Sequence, residues 1–433
     1  MKDMRTQIWL VFVSAYVFES LISKSKFLLY ANETILHLAA SFLIPGCFAM
    51  LLLPNICNTK YKSKARFASV PNFVFILFSA WILLAAMAQP DVIGNMLYAI
   101  GFVISVLVAI VLIPFGLREC SVYNTLAIVI LPIFIFAASS LGLLLIAPGM
   151  CFKEGRFEGV FANASYSGQC FSLLAIAALF YMLESKKRVL PIFIFITITV
   201  LLLATRTRIA IAAFATGSLV IVFLTTRMNK KSKSFRIVLF FICFIVLLIY
   251  ASNSTDYFNK VKTHLRVDGE TQDIVSDRIL HWQYGLEEVM DGKDKLFGEG
   301  FLAKFERKPK RTGQLLYRYE YNLWNDPHNM ILTSVLFFGY VGAGLLLVFI
   351  IALTRFAYQQ YLQHSKTSAL LLALLVWGCF HSIATNWLLS IGNPVDRISW
   401  LLIGILSFSA ARINHALQIG PSGNRQRFGL NGK

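Results

Sequence analysis

Long apolar runs, nearly free of charged residues, alternate with polar connections from Ile8 to Ala411. Each run is close to the roughly 20 residues that a helix needs to cross a hydrocarbon layer, and none has the two-residue alternation of a membrane β-barrel strand. The pattern predicts about twelve transmembrane helices: Ile8–Ser23, Leu36–Leu53, Val70–Ala88, Ile93–Phe115, Val122–Ala147, Gly168–Glu184, Val189–Ala204, Ile209–Thr225, Phe235–Ala251, His328–Leu353, Ser368–Leu389 and Ile398–Ala411. The expected fold class is an all-α polytopic membrane protein. Residues 1–251 hold helices one to nine, 252–327 one large hydrophilic loop, 328–412 helices ten to twelve, and 413–433 a tail. The first run lacks a small-residue cleavage site and is followed by further spans, so it reads as a retained helix.

Composition agrees with that pattern: 57% of residues are hydrophobic and 14% charged, against about a quarter charged in a soluble domain. The formal charge of +18 raises the question of a nucleic-acid partner, and its distribution answers it. Lys and Arg gather in alternate connections, at Lys60–Arg66, Arg118, Lys186–Arg188, Arg227–Arg236 and Arg355/Lys366, and again in the tail. Basic residues resist translocation, so these connections and both termini are expected to be cytoplasmic. Most of the charge is then topology, and no nucleic-acid partner is expected. The Ser252–Pro327 loop falls on the other side and holds thirteen of the twenty-two acidic residues, as a small water-facing domain would. Seven scattered cysteines have neither metal-ligand nor redox spacing.

Ionisable residues are scarce in the middles of the runs, whereas coupled transporters usually place them near the midplane. The polar groups that topology leaves unexplained gather at the outer ends of helices, which points to chemistry at the outer membrane surface. Asn325-Asp326-Pro327-His328-Asn329 stands directly before a long run. With Asp326 as cap and Pro327 as first residue, His328 falls in the first helical turn. There the helix dipole disfavours the protonated imidazole and suits a general base; alternatively, His328 and Asn329 only satisfy a helix end. Gly339, Gly342 and Gly344 follow as a small-residue face for close helix packing.

Thr205-Arg206-Thr207-Arg208 lies on the outer side, where arginines are not expected. A guanidinium grips phosphate oxygens with two parallel bonds. If the helix already begins here, residues two apart diverge and only one of Arg206 and Arg208 faces a given site; Arg208, nearer the following helix, is preferred over an arginine that merely snorkels to the interface. In the large loop, Ser276–Met290 reads as an amphipathic helix whose apolar positions are Ile279, Trp282, Leu286 and Val289/Met290. Arg278, His281 and Trp282 share one face of it. That trio could hold a phosphate or a sugar ring, or Trp282 could be an interface anchor beside a surface ion pair. Arg156 lies in a turn-rich loop, Gly155–Asn163, that either forms a lip over the site or is plain surface. His381 and Asn386 fit interhelical hydrogen bonding, and Asp396 and Arg397 follow at the outer side. No Asp-x-Asp pair, zinc motif, phosphate-binding loop or Gly-x-Ser-x-Gly elbow is present.

Taken in order, these motifs resemble the O-antigen ligase and polymerase superfamily. His328-Asn329, nine residues, then Gly339-Tyr340-Val341-Gly342 is similar to the ligase pattern of His-Asn, nine residues and Gly-x-x-Gly. Thr205–Arg208 resembles the family's Thr-x-(Ser/Thr)-Arg, Arg156–Asn163 its Arg-x-x-Gly loop, and Arg278–Gly300 its stretch ending in Phe-Gly-x-Gly. By motif the resemblance covers about residues 150–345.

The resemblance implies an architecture like that of other membrane (GT-C-like) glycosyltransferases and metal-independent, inverting glycosyl transfer with no cofactor. The donor would be an undecaprenyl-diphosphate-linked glycan at the periplasmic face of the bacterial inner membrane, among membrane lipids. A ligase passes the glycan to lipid A–core; a polymerase passes it to another lipid-linked repeat unit. Carried over, His328 is the base, Arg208 and Arg278 stabilise the diphosphate, and Arg206, Arg156, Asn329, His281 and Trp282 help to bind substrate. A lipid-linked glycan flippase is a further alternative; it predicts two similar six-span halves and a long central cytoplasmic connection, for which Lys186–Arg188 is too short, and the largest loop falls after the ninth span. A non-catalytic scaffold is another.

Overall fold

In the computed structural model the described residues are 70–116, 120–153, 155–184, 189–228, 295–301, 328–363, 366–383, 385–389 and 393–418, with short helical pieces within 10–22 and 282–290. The expected spans Leu36–Leu53 and Phe235–Ala251, and most of the large loop, lie outside them.

The elements follow the apolar runs closely. Helix α1 is Val70–Met87 and α2 is Val92–Leu107, which continues through a π-helical turn, Val108–Leu112, into Ile113–Gly116. Then come α3 (Val122–Ile146), α4 (Ala164–Glu184), α5 (Val189–Ala204), α6 (Arg208–Met228), α7 (Met330–Leu362), α8 (Lys366–His381) and α9 (Pro394–Gln418). Local caps fix several starts: Asp91 accepts from Gly94 N and Ser121 from Asn124 N, each satisfying an orphan amide of a first turn.

Five of these stretches are long and apolar enough to span a membrane, and α1, α5 and α8 are shorter apolar helices. Along α5, Val189, Phe193, Ile196 and Val200 are mostly exposed, while Phe195, Ile198, Leu201 and Leu202 are buried. Apolar residues on both faces, with one face uncovered by protein, are what a helix shows when its outer solvent is lipid. The chain is an integral membrane protein built as a helical bundle.

Within the bundle α8 is central, packing against α6, α7 and α9, while α4 packs against α5 and α6 and α7 also packs along α1. A glycine permits the α6 contact: a Cβ on Gly217 would stand 3.2 Å from both Ala373 O and Trp377 Cβ.

Two departures from the apolar pattern matter. The run expected to reach Leu389 leaves the helix at His381; the chain then turns back and Trp387 lies where a Gly378 Cβ would stand, 2.0 Å from Cζ2. Its indole Nε1 donates to Ser399 Oγ (3.1 Å), and Trp400 Nε1 to Leu388 O (3.0 Å). The hydrophobicity of Trp387, Leu388 and Leu389 thus serves a re-entrant turn. The second departure is in α7, which is not one rod. Gly339, at φ 69° and ψ −176°, breaks it after Phe338, so Gly339 serves a helix break rather than the helix–helix face expected of it.

Candidate functional site

The two ends of the bundle differ. At one, Lys366 pairs with Glu184 and Tyr361 Oη donates to Leu224 O (3.0 Å). At the other, Thr207 Oγ1 donates to Ala164 O (3.0 Å) and Met330 N to Ser382 O (3.1 Å). The arginine turn at Thr205–Arg208 and the His328-Asn329 pair therefore occupy the same end, either side of α4, α6 and α8.

The arginine turn is built from neighbours far away in sequence. Phe152–Lys153 and Arg156–Phe157 form a small antiparallel hairpin around Gly155, whose φ is 71°. From it Arg156 reaches across, Nε to Thr205 O (3.3 Å) and Nη2 to Thr207 Oγ1 (3.2 Å). Thr205 and Thr207 are buried, and Thr207 N donates to Thr205 Oγ1 (3.3 Å). Gly168 lets this turn lie on α4, since a Cβ there would meet Thr207 Cβ at 2.8 Å. Arg206 sits at φ 52°, a left-handed conformation that costs a non-glycine residue on the order of 1 kcal/mol and persists only where its surroundings impose it.

Both Arg206 and Arg208 are exposed. The expectation that only one could face a site assumed that both lie in a helix. The helix begins at Arg208, and Arg206 stands before it in the reversed turn. Gly155–Asn163 thus braces the arginines rather than remaining bare surface, and Arg156 is engaged with the turn.

At the second locus the helix starts later than expected. Its cap is Asn329, whose Oδ1 accepts from Ile331 N (3.0 Å) and Leu332 N (3.2 Å). His328 therefore precedes α7 instead of occupying its first turn, and it too has positive φ, 48°. Asp326 and Pro327, the expected cap and first residue, lie outside the described residues. The re-entrant turn after α8 holds this start in place: Asn329 Nδ2 donates to Ile383 O (3.3 Å) and Thr333 Oγ1 to Asn386 Oδ1 (2.7 Å). Asn386 thus bonds α7 from the turn rather than from within a helix as expected, while His381 Nδ1 lies 2.9 Å from Thr385 Oγ1 and its ring stands edge-on to Trp377.

Two further polar contacts tie α4 to α8 and to the residue before α9. Trp377 Nε1 donates to Ser172 Oγ (3.0 Å), and Asn393 Nδ2 to Gln169 Oε1 (3.4 Å). Asn393 also caps α9 through Val395 N (3.0 Å). Asp396 and Arg397, in the first turn of that helix, are almost wholly buried. Nothing in the sequence beyond single polar residues at the ends of apolar runs marks Gln169 or Asn393.

Arg278 and His281 lie outside the described residues. Trp282 is helical and half-buried, and its indole N–H is buried without a hydrogen-bond partner among the described residues. Gly285 and Val289 are buried whereas Leu286 and Met290 are exposed; the covered face of this piece is narrower than the amphipathic pattern suggests. Among the described residues no group of three His, Cys, Asp or Glu side chains could hold a metal ion.

No curated protein matches the chain. Residues 193–347 match a family model described as O-antigen ligase. The matched segment runs from α5 through the Thr205–Arg208 turn and the large loop to His328 and the broken helix at Gly339, and it leaves out the Arg156 hairpin. That match makes residues 193–347 similar to the O-antigen ligase and polymerase superfamily and supports the resemblance drawn from the motifs.

Proposed function

We propose that the protein is an O-antigen ligase that transfers a glycan from undecaprenyl diphosphate to lipid A–core at the periplasmic face of the bacterial inner membrane. The observation that carries this reading is that two exposed arginines on a braced turn share one end of the bundle with a histidine fixed before a capped helix. An acidic leaving group and a hydroxyl nucleophile need a cation cluster and a base, respectively.

In the proposed reaction the acceptor hydroxyl oxygen attacks the anomeric carbon, forming a new C–O bond with inversion. The bond from that carbon to the diphosphate oxygen breaks, and its electron pair leaves with undecaprenyl diphosphate. His328 takes the hydroxyl proton. Arg208, Arg206 and the loop's Arg278 balance the charge that builds on the diphosphate, two or more guanidinium groups for two phosphates. Arg156 keeps the turn in register, and His281 and Trp282 are assigned to the sugar or the phosphate. The chemistry needs no metal.

A strain lacking the protein provides the test. Long glycan chains retained on the lipid carrier, with bare lipid A–core, are the expected outcome. Core bearing a single repeat would make the protein a polymerase, and long chains still attached to core would refute both. In reconstituted membranes His328→Ala should abolish transfer; undiminished transfer would remove the base assignment.

A further inference from the structure

The break in α7 is filled by the large loop. In an unbroken helix the carbonyls of Leu336, Phe337 and Phe338 would accept from residues 340, 341 and 342. Gly339 prevents part of that ladder, and other donors are supplied. Leu336 O accepts from Glu299 N (2.6 Å), Phe337 O from Gly300 N (3.1 Å) and Phe338 O from Trp81 Nε1 (2.8 Å). In return, Tyr340 N donates to Lys295 O (3.0 Å).

The segment 295–301 therefore stands in for a missing helical turn. It comes so close that a Cβ on Gly339 would lie 1.9 Å from Leu296 O. Gly298 and Gly300 both have positive φ and are packed against Leu336–Gly339 and Asn95, respectively.

Two side chains at the outer part of α1 and just after it hold this insert. Gln89, buried, donates through Nε2 to Gly298 O (3.0 Å). Trp81 bonds Phe338 O and stacks face to face on Phe297, ring centroids 5.0 Å apart. Phe301 then lies among Phe102, Phe337 and Phe338. In an apolar bundle each polar group left unpaired costs a few kcal/mol, so the insert is specified rather than merely accommodated.

Its effect on the site follows from the length of the half-helix. Met330–Phe338 is nine residues, about 13 Å at 1.5 Å per residue. One end carries His328 and is held by Asn329, Met330 and Thr333 on the re-entrant turn. At the other end the insert and Trp81 take up the carbonyls of Leu336–Phe338, and Phe78 packs edge-on against Phe338.

Building on the proposed function, we infer that the 295–301 insert is a positioning element of the transfer reaction, and that Gln89 and Trp81 are positioning residues that act through the half-helix on His328. A displacement of about 1 Å at a reacting group can cost up to a hundredfold in rate.

The test uses the full-length protein in lipid nanodiscs with a lipid-linked glycan donor, and compares Trp81→Phe, Gln89→Glu and His328→Ala. Trp81→Phe keeps the ring stack and loses the N–H; Gln89→Glu keeps the shape and loses the amide donor. For both the expected result is a fall of about tenfold in kcat with donor KM within about twofold, and Gln89→His, which restores an N–H, should recover part of the loss. Thermal unfolding, followed in parallel, counts folded protein. Unchanged kcat, or a rate loss no greater than the loss of folded protein, overturns the inference while leaving the His328 assignment intact if His328→Ala is inactive. Full activity of His328→Ala overturns the assignment itself, and the inference with it.

Discussion

Replacement of Asn329 separates a structural from a substrate-binding role for the residue beside the proposed base. Its carboxamide oxygen caps two amides and its Nδ2 bonds Ile383 O. Asn329→Ala removes the cap, about 1 kcal/mol, and a bridging bond of about 0.5–1 kcal/mol at an exposed position where water partly replaces it. Asn329→Ser returns the cap but not the bridge. The alanine variant should lose a few degrees of thermal stability and, because His328 directly precedes the cap, about tenfold in transfer rate, equivalent to roughly 1.4 kcal/mol of barrier. The serine variant should recover most of both. Melting in detergent and initial transfer rates on one preparation decide the matter. If Asn329→Ser melts like the wild type but transfers as poorly as Asn329→Ala, the amide acts on substrate and the capping argument is wrong.

Arg206→Gly keeps the left-handed turn and removes the charge, so donor KM should rise severalfold without loss of stability, whereas Arg206→Lys should be intermediate; no change in KM would show the residue to be only solvated. Arg156→Ala should lower activity through the turn, and its melting curve should shift by the loss of two bonds of modest strength, about 1–2 kcal/mol together. Gly378→Ala must displace the Trp387 ring and should lower the melting temperature by more than the Asn329 variants do. Lys366→Ala, at the opposite end of the bundle and half-exposed, should leave transfer unchanged.

Among the described residues most helices were legible because lipid demands one thing of a helix surface, and apolar residues there follow a simple rule: Val189–Ala204 ends where the hydrophobicity ends. The order of the motifs was legible because glycines and arginines in the connections stand out against the apolar runs. What sequence hid is tertiary. Asp326-Pro327 is a sound local start signal, yet Asn329 took the cap because its side chain also reaches the re-entrant turn. Leu388 and Leu389 are as apolar as any spanning residue, and only the empty volume above Gly378 reveals that they turn back. Gly339 and Gly342 share a spacing that suits helix pairing; which backbone lies against Gly339 depends on a loop some forty residues upstream.

The Arg156 brace has a consequence for how this protein can be divided. The recognisable family segment begins at residue 193, but the guanidinium that shapes its arginine turn is contributed from before α4, about fifty positions earlier. A chimera that transplanted residues 193–347 alone into a related scaffold would carry both exposed arginines without the Arg156 bonds that brace the turn on either side of Arg206. A portable unit that keeps this turn as built begins with the hairpin, and a chimera has to move the two stretches together.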